Sequence, residues 1–183
     1  QQGALVAIES FARSLYPPLE SGKLAGDAAA VFLPALESVT SLMNSTASSW
    51  ILANEKGGDD TSSSIVDAEC QLLSSSSLCV SALVTTLKAR CLPMLPSIIK
   101  PLVTSLKSAN VLIGDTNHQA SSSGELLQLS ILRTLKTIAE TLPQFLPPYL
   151  LLIFSSNALP SRALRQGNNE SDHSVRGAAL QVE

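Results

Sequence analysis

The chain has 183 residues, which is enough for one domain of ordinary size or for a segment of a longer repeat array. Apolar residues make up 45% of it, but aromatic residues only 4% and charged residues only 15%, so the composition predicts aliphatic helices covered by neighbours, and a fragment rather than an isolated globule. The formal net charge of −3 excludes the strongly basic composition that marks many nucleic-acid-binding domains.

The first predicted element is a helix pair over residues 4–43. Apolar residues recur at spacings of three and four in its first helix: Leu5, Ile8, Ala12 and Leu15. The step Tyr16-Pro17 ends that helix, because the residue before a proline is pushed out of the helical region. Asp27 is suited to cap the second helix, and Pro34 predicts either a late start or a kink in it.

A flexible loop is predicted over residues 44–64, where the chain is polar and contains Gly57-Gly58. Trp50-Ile51-Leu52 interrupts this polar stretch, and we interpret the three residues as the tail of the preceding helix, tucked against the core. Ser64 and Asp67 have the spacing of a capping box, which places the start of the next helix near residue 65.

One short pattern occurs twice in the second half of the chain, over residues 78–106 and 126–154. Each copy has an apolar stretch, a Leu-Pro step (Leu92-Pro93 or Leu142-Pro143) and a second apolar stretch, at a period of roughly 50 residues that is typical of helix-pair arrays. The copies predict three segments: a second helix pair at 65–109, a loop at 110–123 and a third pair at 124–156. Since one pair cannot bury its apolar face alone, the predicted fold class is all-α, an α-solenoid of stacked antiparallel helix pairs of the HEAT or armadillo type.

The packing expected of this solenoid is specific. Four leucines are predicted to be buried between stacked pairs: Leu83, Leu87, Leu132 and Leu135. The serines at 74–77 are expected to weaken the helix that contains them, because their side chains compete for backbone hydrogen bonds. A loop is predicted at 157–171, and residues 172–183 resemble the start of a further repeat. We expect apolar patches on both end faces, since no polar cap is visible at either.

The sequence offers little catalytic or metal-binding chemistry, and an enzyme is not expected. His118 and His173 fall in polar stretches with no acid or thiol at metal-ligand spacing. No phosphate-binding glycine motif or nucleophile-elbow motif occurs. The three cysteines form no C-x-x-C pair, and we interpret them as reduced, buried thiols of an intracellular protein. No cofactor or small-molecule substrate is predicted.

A membrane span and a secretory leader are not expected either. The longest apolar run that we identify, residues 145–154, is broken by Pro147-Pro148 and is shorter than the roughly 18 residues that a span needs. The residues from Gln1 onward contain no basic region followed by a signal-type cleavage site.

The middle of the chain is mildly basic, with six basic and three acidic residues between positions 76 and 155. The six are candidate contacts to RNA or to a partner: Lys88, Arg90, Lys100, Lys107, Arg133 and Lys136. The simpler interpretation is an ordinary solvated helix surface. Direct RNA binding would require the six to converge on one face, and it would show a steep salt dependence. The serine clusters at 62–64 and 121–123 fit helix caps, and they also fit phosphorylation sites.

The residues of the repeated pattern carry a family resemblance. The stretch from Leu78 to Leu106, which includes Cys91-Leu-Pro-Met-Leu-Pro96, resembles the family of large HEAT-repeat proteins associated with the U3 small nucleolar RNA, which are components of the small-subunit processome. Residues 126–149, with Ala139-Glu-Thr-Leu-Pro143, continue the resemblance in the same order and spacing.

This resemblance implies a non-catalytic nucleolar scaffold that takes part in ribosome biogenesis. It implies roles in pre-ribosomal RNA transcription and in processing of small-subunit ribosomal RNA. The expected partners are other protein subunits of a large assembly and pre-ribosomal RNA, bound directly or through those subunits. A protein-binding adaptor solenoid in intracellular transport or membrane traffic is the alternative, since it would have the same helix pairs and a different cargo.

Overall fold

The computed structural model describes residues 1–14, 24–55, 60–114 and 122–154. These ranges contain six α-helices: α1 (Gln2–Ser14), α2 (Leu24–Glu55), α3 (Asp60–Leu87), α4 (Leu95–Gly114), α5 (Ser122–Thr141) and α6 (Pro147–Ile153). A first 3₁₀ helix, Lys88–Met94, joins α3 to α4, and a second, Pro143–Phe145, precedes α6. No strand occurs in the described ranges, and the predicted all-α fold class is confirmed.

The helices form two layers. α3 lies between α1 and α5 in one layer, and α4 lies between α2 and α6 in the other. The layers meet where α2 packs on α3 and α4 packs on α5. Hydrogen bonds from α3 to α5 join residues that are 56 or 57 positions apart along their whole contact, so the two helices run parallel, as equivalent helices of successive repeats do.

The helix pairs that pack most closely differ from those that the Leu-Pro steps suggest. α2 and α3, separated only by residues 56–59, pack as an antiparallel hairpin, and Ser49 near the end of α2 donates a hydrogen bond to Glu69 near the start of α3. α3 and α4 make almost no close backbone contact, although Leu92-Pro93 joins them. The intervening 3₁₀ helix rises about 2 Å per residue, which carries the chain from one layer to the other instead of folding it back. The predicted junction at Tyr16-Pro17 lies outside the described residues.

The predicted loop at residues 44–64 is wrong over most of its length. α2 continues to Glu55 and α3 already begins at Asp60. The serines that suggested a loop donate to the helix itself: Ser45 Oγ lies 2.9 Å from the carbonyl oxygen of Leu42, and Ser48 Oγ lies 2.9 Å from that of Asn44. Asp67 is therefore inside α3 rather than in a capping box. Trp50 is fully buried, in agreement with its interpretation as part of the helix tail.

The other predicted boundaries are closer to those in the structure. α4 extends to Gly114 and α5 begins at Ser122, so helix covers both ends of the predicted loop at 110–123. Pro34 lies within a continuous α2. The serines at 74–77 do not interrupt α3, because each hydroxyl donates to the carbonyl oxygen four residues earlier. The predictions for residues 157–183 lie outside the described part of the chain.

One long apolar stretch was missed in the sequence. Residues Val66–Asn110 include a window that is long and apolar enough to cross a membrane, judged by length and composition alone. Serines and threonines interrupt the apolar residues, so the stretch does not form one continuous apolar run. The mean hydropathy of the window is nevertheless 1.4. Half of that window is buried, and the packing of α3 between α1, α2 and α5 accounts for its apolar character without a bilayer.

The core is built from aliphatic side chains at the layer contacts. The prediction that Leu83, Leu87, Leu132 and Leu135 are buried is confirmed, because none of them is more than 4% exposed. Large exposed apolar side chains of the described residues lie on α1, α2, α5 and α6, and they include Phe11 on α1, Val31 on α2 and Leu151 on α6. The predicted apolar patches on the end faces stay a prediction.

The burial of Leu132 predicts a large loss of stability on truncation. Leu132→Ala should lower the free energy of unfolding by about 2–5 kcal/mol, because it removes aliphatic carbon from a fully packed site and leaves a cavity. Leu126→Ala is the matched control, since Leu126 lies on the same helix and is 58% exposed. Urea denaturation followed by circular dichroism measures both variants, and equal midpoints would contradict the assigned face of α5.

Lys88 supplies a second prediction. Its φ of 52° places a side-chain-bearing residue in the left-handed region at the point where α3 ends. Lys88→Gly should raise the free energy of unfolding by roughly 1 kcal/mol, because glycine adopts this conformation without a steric penalty. Ala89→Gly is the control, since it adds the same backbone freedom to the unfolded chain without relieving a positive φ. Thermal melts of the two variants should shift in opposite directions.

Candidate functional site

A polar groove of about 260 Å³ crosses the α1–α3–α5 layer. α3 forms its floor, α1 and α5 form its walls, and eight residues line it: Ala12, Arg13, Ser81, Ala82, Thr85, Thr86, Arg133 and Thr137. Small residues at Ala12, Ser81 and Ala82 leave the space, because no long side chain projects from them into the gap between the helices. We call this feature the arginine groove.

The hydroxyl groups of the groove are held by a network within and between helices. Ser81 Oγ donates to Thr137 Oγ1 at 2.9 Å, and Thr137 Oγ1 donates to the carbonyl oxygen of Arg133 at 3.0 Å. Thr86 Oγ1 lies 3.0 Å from the carbonyl oxygen of Ala82 and 3.4 Å from that of Ala12, so it bridges α3 and α1. The network fixes the spacing of the three helices at the groove.

Arg13 and Arg133 give the groove its charge. Arg13 Nη2 lies 2.8 Å from Glu9 Oε1, one helical turn earlier on α1, and its side chain is 48% exposed. Arg133 is exposed on α5, and no carboxylate within the described ranges pairs with it. The eight lining residues include two guanidinium groups and no acid. The arrangement can therefore bind an anionic group.

The structure brings only one of the six predicted basic residues into this groove. Arg133 lines it, whereas Lys136 lies 3.9 Å from Glu140 on the same helix. The remaining four are distributed over other elements: Lys88 and Arg90 in the first 3₁₀ helix, and Lys100 and Lys107 on α4 of the opposite layer. The six residues thus lie on elements of both layers, and direct RNA binding through them stays a prediction.

Arg13 is the site residue that the sequence analysis missed. It belongs to the first predicted helix, where its spacing from Glu9 indicates only an ion pair one turn apart. Its approach to α3 and α5 depends on how helices far apart in sequence stack, and no local pattern encodes that. The signal in the sequence that could have indicated the groove is the set of small and hydroxyl residues at positions 81, 82, 85 and 86, which recur on one face of α3.

The structure describes only part of the two serine clusters that were predicted to be helix caps or phosphorylation sites. Ser123 is buried, and its hydroxyl donates to Asp67 across the α3–α5 contact, so it ties two repeats together instead of only capping its own helix. Ser122 beside it is exposed. The side chains of Ser62, Ser63, Ser64 and Ser121 lie outside the described part of the structure.

The three cysteine thiols are buried, and this environment makes them unreactive. Cys70, Cys79 and Cys91 are free and buried, in agreement with their interpretation from the sequence. Burial raises the pKa of Cys70 and Cys79 to about 12 and that of Cys91 to about 11, because the thiolate would lose its hydration. Among the described residues, no group of three or more histidine, cysteine or acidic side chains is placed to hold a metal ion.

These raised pKa values predict alkaline destabilisation. Below pH 9 the thiols are protonated in both states, but between about pH 9 and pH 12 the unfolded chain ionises while the folded chain does not, so stability should fall as pH rises. Urea midpoints at pH 8 and pH 10.5 measure the loss. A Cys70→Ala, Cys79→Ala variant should lose less between the two pH values, and an equal loss would contradict the assignment.

Comparison with known proteins identifies relatives of this chain. The chain is 31% identical over 112 residues, or 61% of its length, to human HEAT repeat-containing protein 1. It is 33% identical over 85 residues, or 46% of its length, to the Danio rerio protein of the same name. The chain is homologous to a segment of HEAT repeat-containing protein 1. This homology confirms the resemblance that the repeated pattern indicated.

The chain matches only a small part of the length of each relative. The matched stretch spans 5% of the human protein and 4% of the Danio rerio protein. No family model matches the chain. No solved structure matches it either. The two-layer helical architecture described above is what a HEAT-repeat segment is expected to have.

Proposed function

We propose that this chain is a segment of a non-catalytic HEAT-repeat scaffold in ribosome biogenesis. The observation that carries the proposal is the homology over 112 residues to a HEAT repeat-containing protein. The resemblance of residues 78–106 and 126–149 to the U3-associated family supplies the biological setting. In that setting the scaffold supports pre-ribosomal RNA transcription and small-subunit RNA processing in the nucleolus.

The packing of the helices supports a scaffolding role. Each internal helix is held by neighbours on two sides, so the layer of α1, α3 and α5 presents a continuous surface instead of one deep pocket. Such surfaces bind partners by shape and by distributed contacts. HEAT-repeat proteins generally bind other proteins, so we propose protein subunits of a large assembly as the principal partners, and no catalytic role for this segment.

Contact with pre-ribosomal RNA is a further part of the proposal, made directly or through those subunits. Lys88 and Arg90 are both exposed where α3 ends, and Lys100 is exposed on α4. Their separation favours a few peripheral phosphate contacts over a continuous RNA-binding stripe. Each phosphate neutralised would add about 0.7 to the salt slope for a single strand.

The test uses the full-length protein in cells. A tagged copy should concentrate in nucleoli and co-purify with U3 RNA and with small-subunit pre-ribosomal RNA. Depletion should lower both pre-ribosomal RNA synthesis and small-subunit RNA maturation. A cytoplasmic or vesicular location, with transport components in the purified material, would instead support the adaptor solenoid.

A matched pair of variants links the outcome to this segment. Leu132→Asp places a charge in the fully buried α3–α5 contact, so the full-length protein carrying it should fail to restore RNA processing after depletion. Gln144→Ala changes an exposed residue in the second 3₁₀ helix and should restore processing fully. Restoration by Leu132→Asp, at normal protein abundance, would show that this segment is dispensable for the proposed function.

A further inference from the structure

We propose that the arginine groove binds a single phosphorylated serine or threonine side chain of a partner polypeptide. The inference is independent of the ribosomal setting, since it rests only on the groove between α1 and α5. It assigns a specific recognition site to a chain otherwise argued to act through distributed contacts.

The two arginines match the chemistry of a phosphoryl group. Arg13 and Arg133 lie on opposite walls of the same groove, and each guanidinium presents several N–H donors in a planar fork that fits phosphate oxygens. A lysine in either place would supply charge without this fork. An anion between the walls would therefore be bound from two sides, which one surface arginine cannot do.

Arg13 is already positioned for this role. Its ion pair with Glu9 at 2.8 Å holds the side chain along α1. Because the pair is partly exposed and a carboxylate accepts only some of the guanidinium donors, the remaining N–H groups stay available to a ligand. Glu9 also lowers the net charge beside the groove, which favours one well-placed anion over a general accumulation of negative charge.

The floor of the groove can complete the contact. The proton of the Thr86 hydroxyl faces two carbonyl oxygens, and the one on Ala12 is distant at 3.4 Å. A hydroxyl has one proton and rotates about its C–O bond, so Thr86 can turn that proton away from the backbone carbonyl oxygens and donate it to a bound phosphoryl oxygen. Ser81 and Thr137 keep the floor rigid through their mutual hydrogen bond.

The size of the groove fits one modified side chain. A volume of 260 Å³ is far more than a single water molecule needs, and the groove is open to solvent. That space accommodates a phosphoryl group and the short stem of a serine or threonine. The small side chains of Ala12 and Ala82 leave this space open between α1 and α3.

The groove favours a phosphorylated protein over RNA. Two cations line it, and none of the other basic residues predicted as RNA contacts does: Lys136 is near Glu140, Lys88 and Arg90 lie beyond the end of α3, and Lys100 and Lys107 belong to the opposite layer. The groove itself therefore offers a polyanion no continuous stripe of positive charge. Single-stranded RNA sites also use aromatic side chains as stacking platforms, and none of the eight lining residues is aromatic. With Glu9 paired to Arg13, the groove and its rim have a small net positive charge, which suits one phosphoryl group better than a chain of them.

The test is a titration of the full chain with a matched set of probes. One probe is a capped Gly-Ala-phosphoserine-Ala-Gly peptide, and the others are its unphosphorylated twin, inorganic phosphate and a 12-nucleotide single-stranded RNA. The guanidinium N–H signals of Arg13 and Arg133 are followed by NMR at low salt. We expect saturable shifts of both signals with the phosphopeptide, none with the twin, and weaker binding of inorganic phosphate.

Three variants separate the groove from general charge. Arg13→Gln and Arg133→Gln should each weaken phosphopeptide binding at least tenfold, and Arg133→Lys should fall between Arg133→Gln and the unchanged protein. Lys107→Gln removes the same charge on α4 and should bind as the unchanged protein does. Both arginines are exposed, so the fold should be retained, and identical thermal melts verify it.

Several outcomes would overturn the proposal. The absence of phosphate-dependent shifts, or equal weakening by Lys107→Gln, would show that no such site exists. Inorganic phosphate binding as tightly as the phosphopeptide would show that the groove takes a free anion and no polypeptide. RNA binding that Arg133→Gln abolishes, with a steep salt dependence and no response to the phosphopeptide, would make it a nucleic-acid contact.

Discussion

The contact between the parallel helices α3 and α5 is the constraint on which the rest of the structure depends. Two kinds of side chain meet there: leucines that exclude water, and short hydroxyl residues that let the backbones approach. Thr134 is fully buried and donates to carbonyl oxygens on both helices, of Ser77 on α3 and of Ser130 on α5. Because its hydroxyl has these partners, its burial does not leave the donor unsatisfied. α1, α2 and α4 are positioned by packing on this central pair.

The sequence predicts the helices and their buried faces well, but not which helices pair. Leu83 and Leu132 follow the helical period, and burial of one face is a local property that the period records. The polar stretch after residue 44 was wrongly predicted to be a loop. A serine hydroxyl can donate to a carbonyl oxygen about one turn earlier in its own helix, so serines occur within helices as well as in loops. Pairing across layers depends on the path of the 3₁₀ helix after Lys88, and no periodicity encodes that path. The division of the chain into repeats remains a prediction.

The candidate site, like the fold, could be predicted from the sequence only in part. The sequence analysis identified Arg133 only as one of six basic residues. Arg13 lines the same groove because α1 and α5 both stack on α3. In a solenoid, a site of this kind is a product of the repeat interfaces and not of any one repeat. A stretch that matches only 5% of a long relative can therefore contain a complete groove of this kind.

The constant offset of 56 or 57 residues along α3 and α5 has a mechanical consequence. Sliding one helix past the other by one turn, about 5.4 Å, would break the bonds at Ser77, Ser81 and Ser123 together. The three bonds lie at positions 67, 77 and 81 of α3, so they are spread over most of its contact with α5. A pulling force along the α3–α5 edge would therefore load the three bonds in shear at the same time, and this edge should resist extension until all of them yield together.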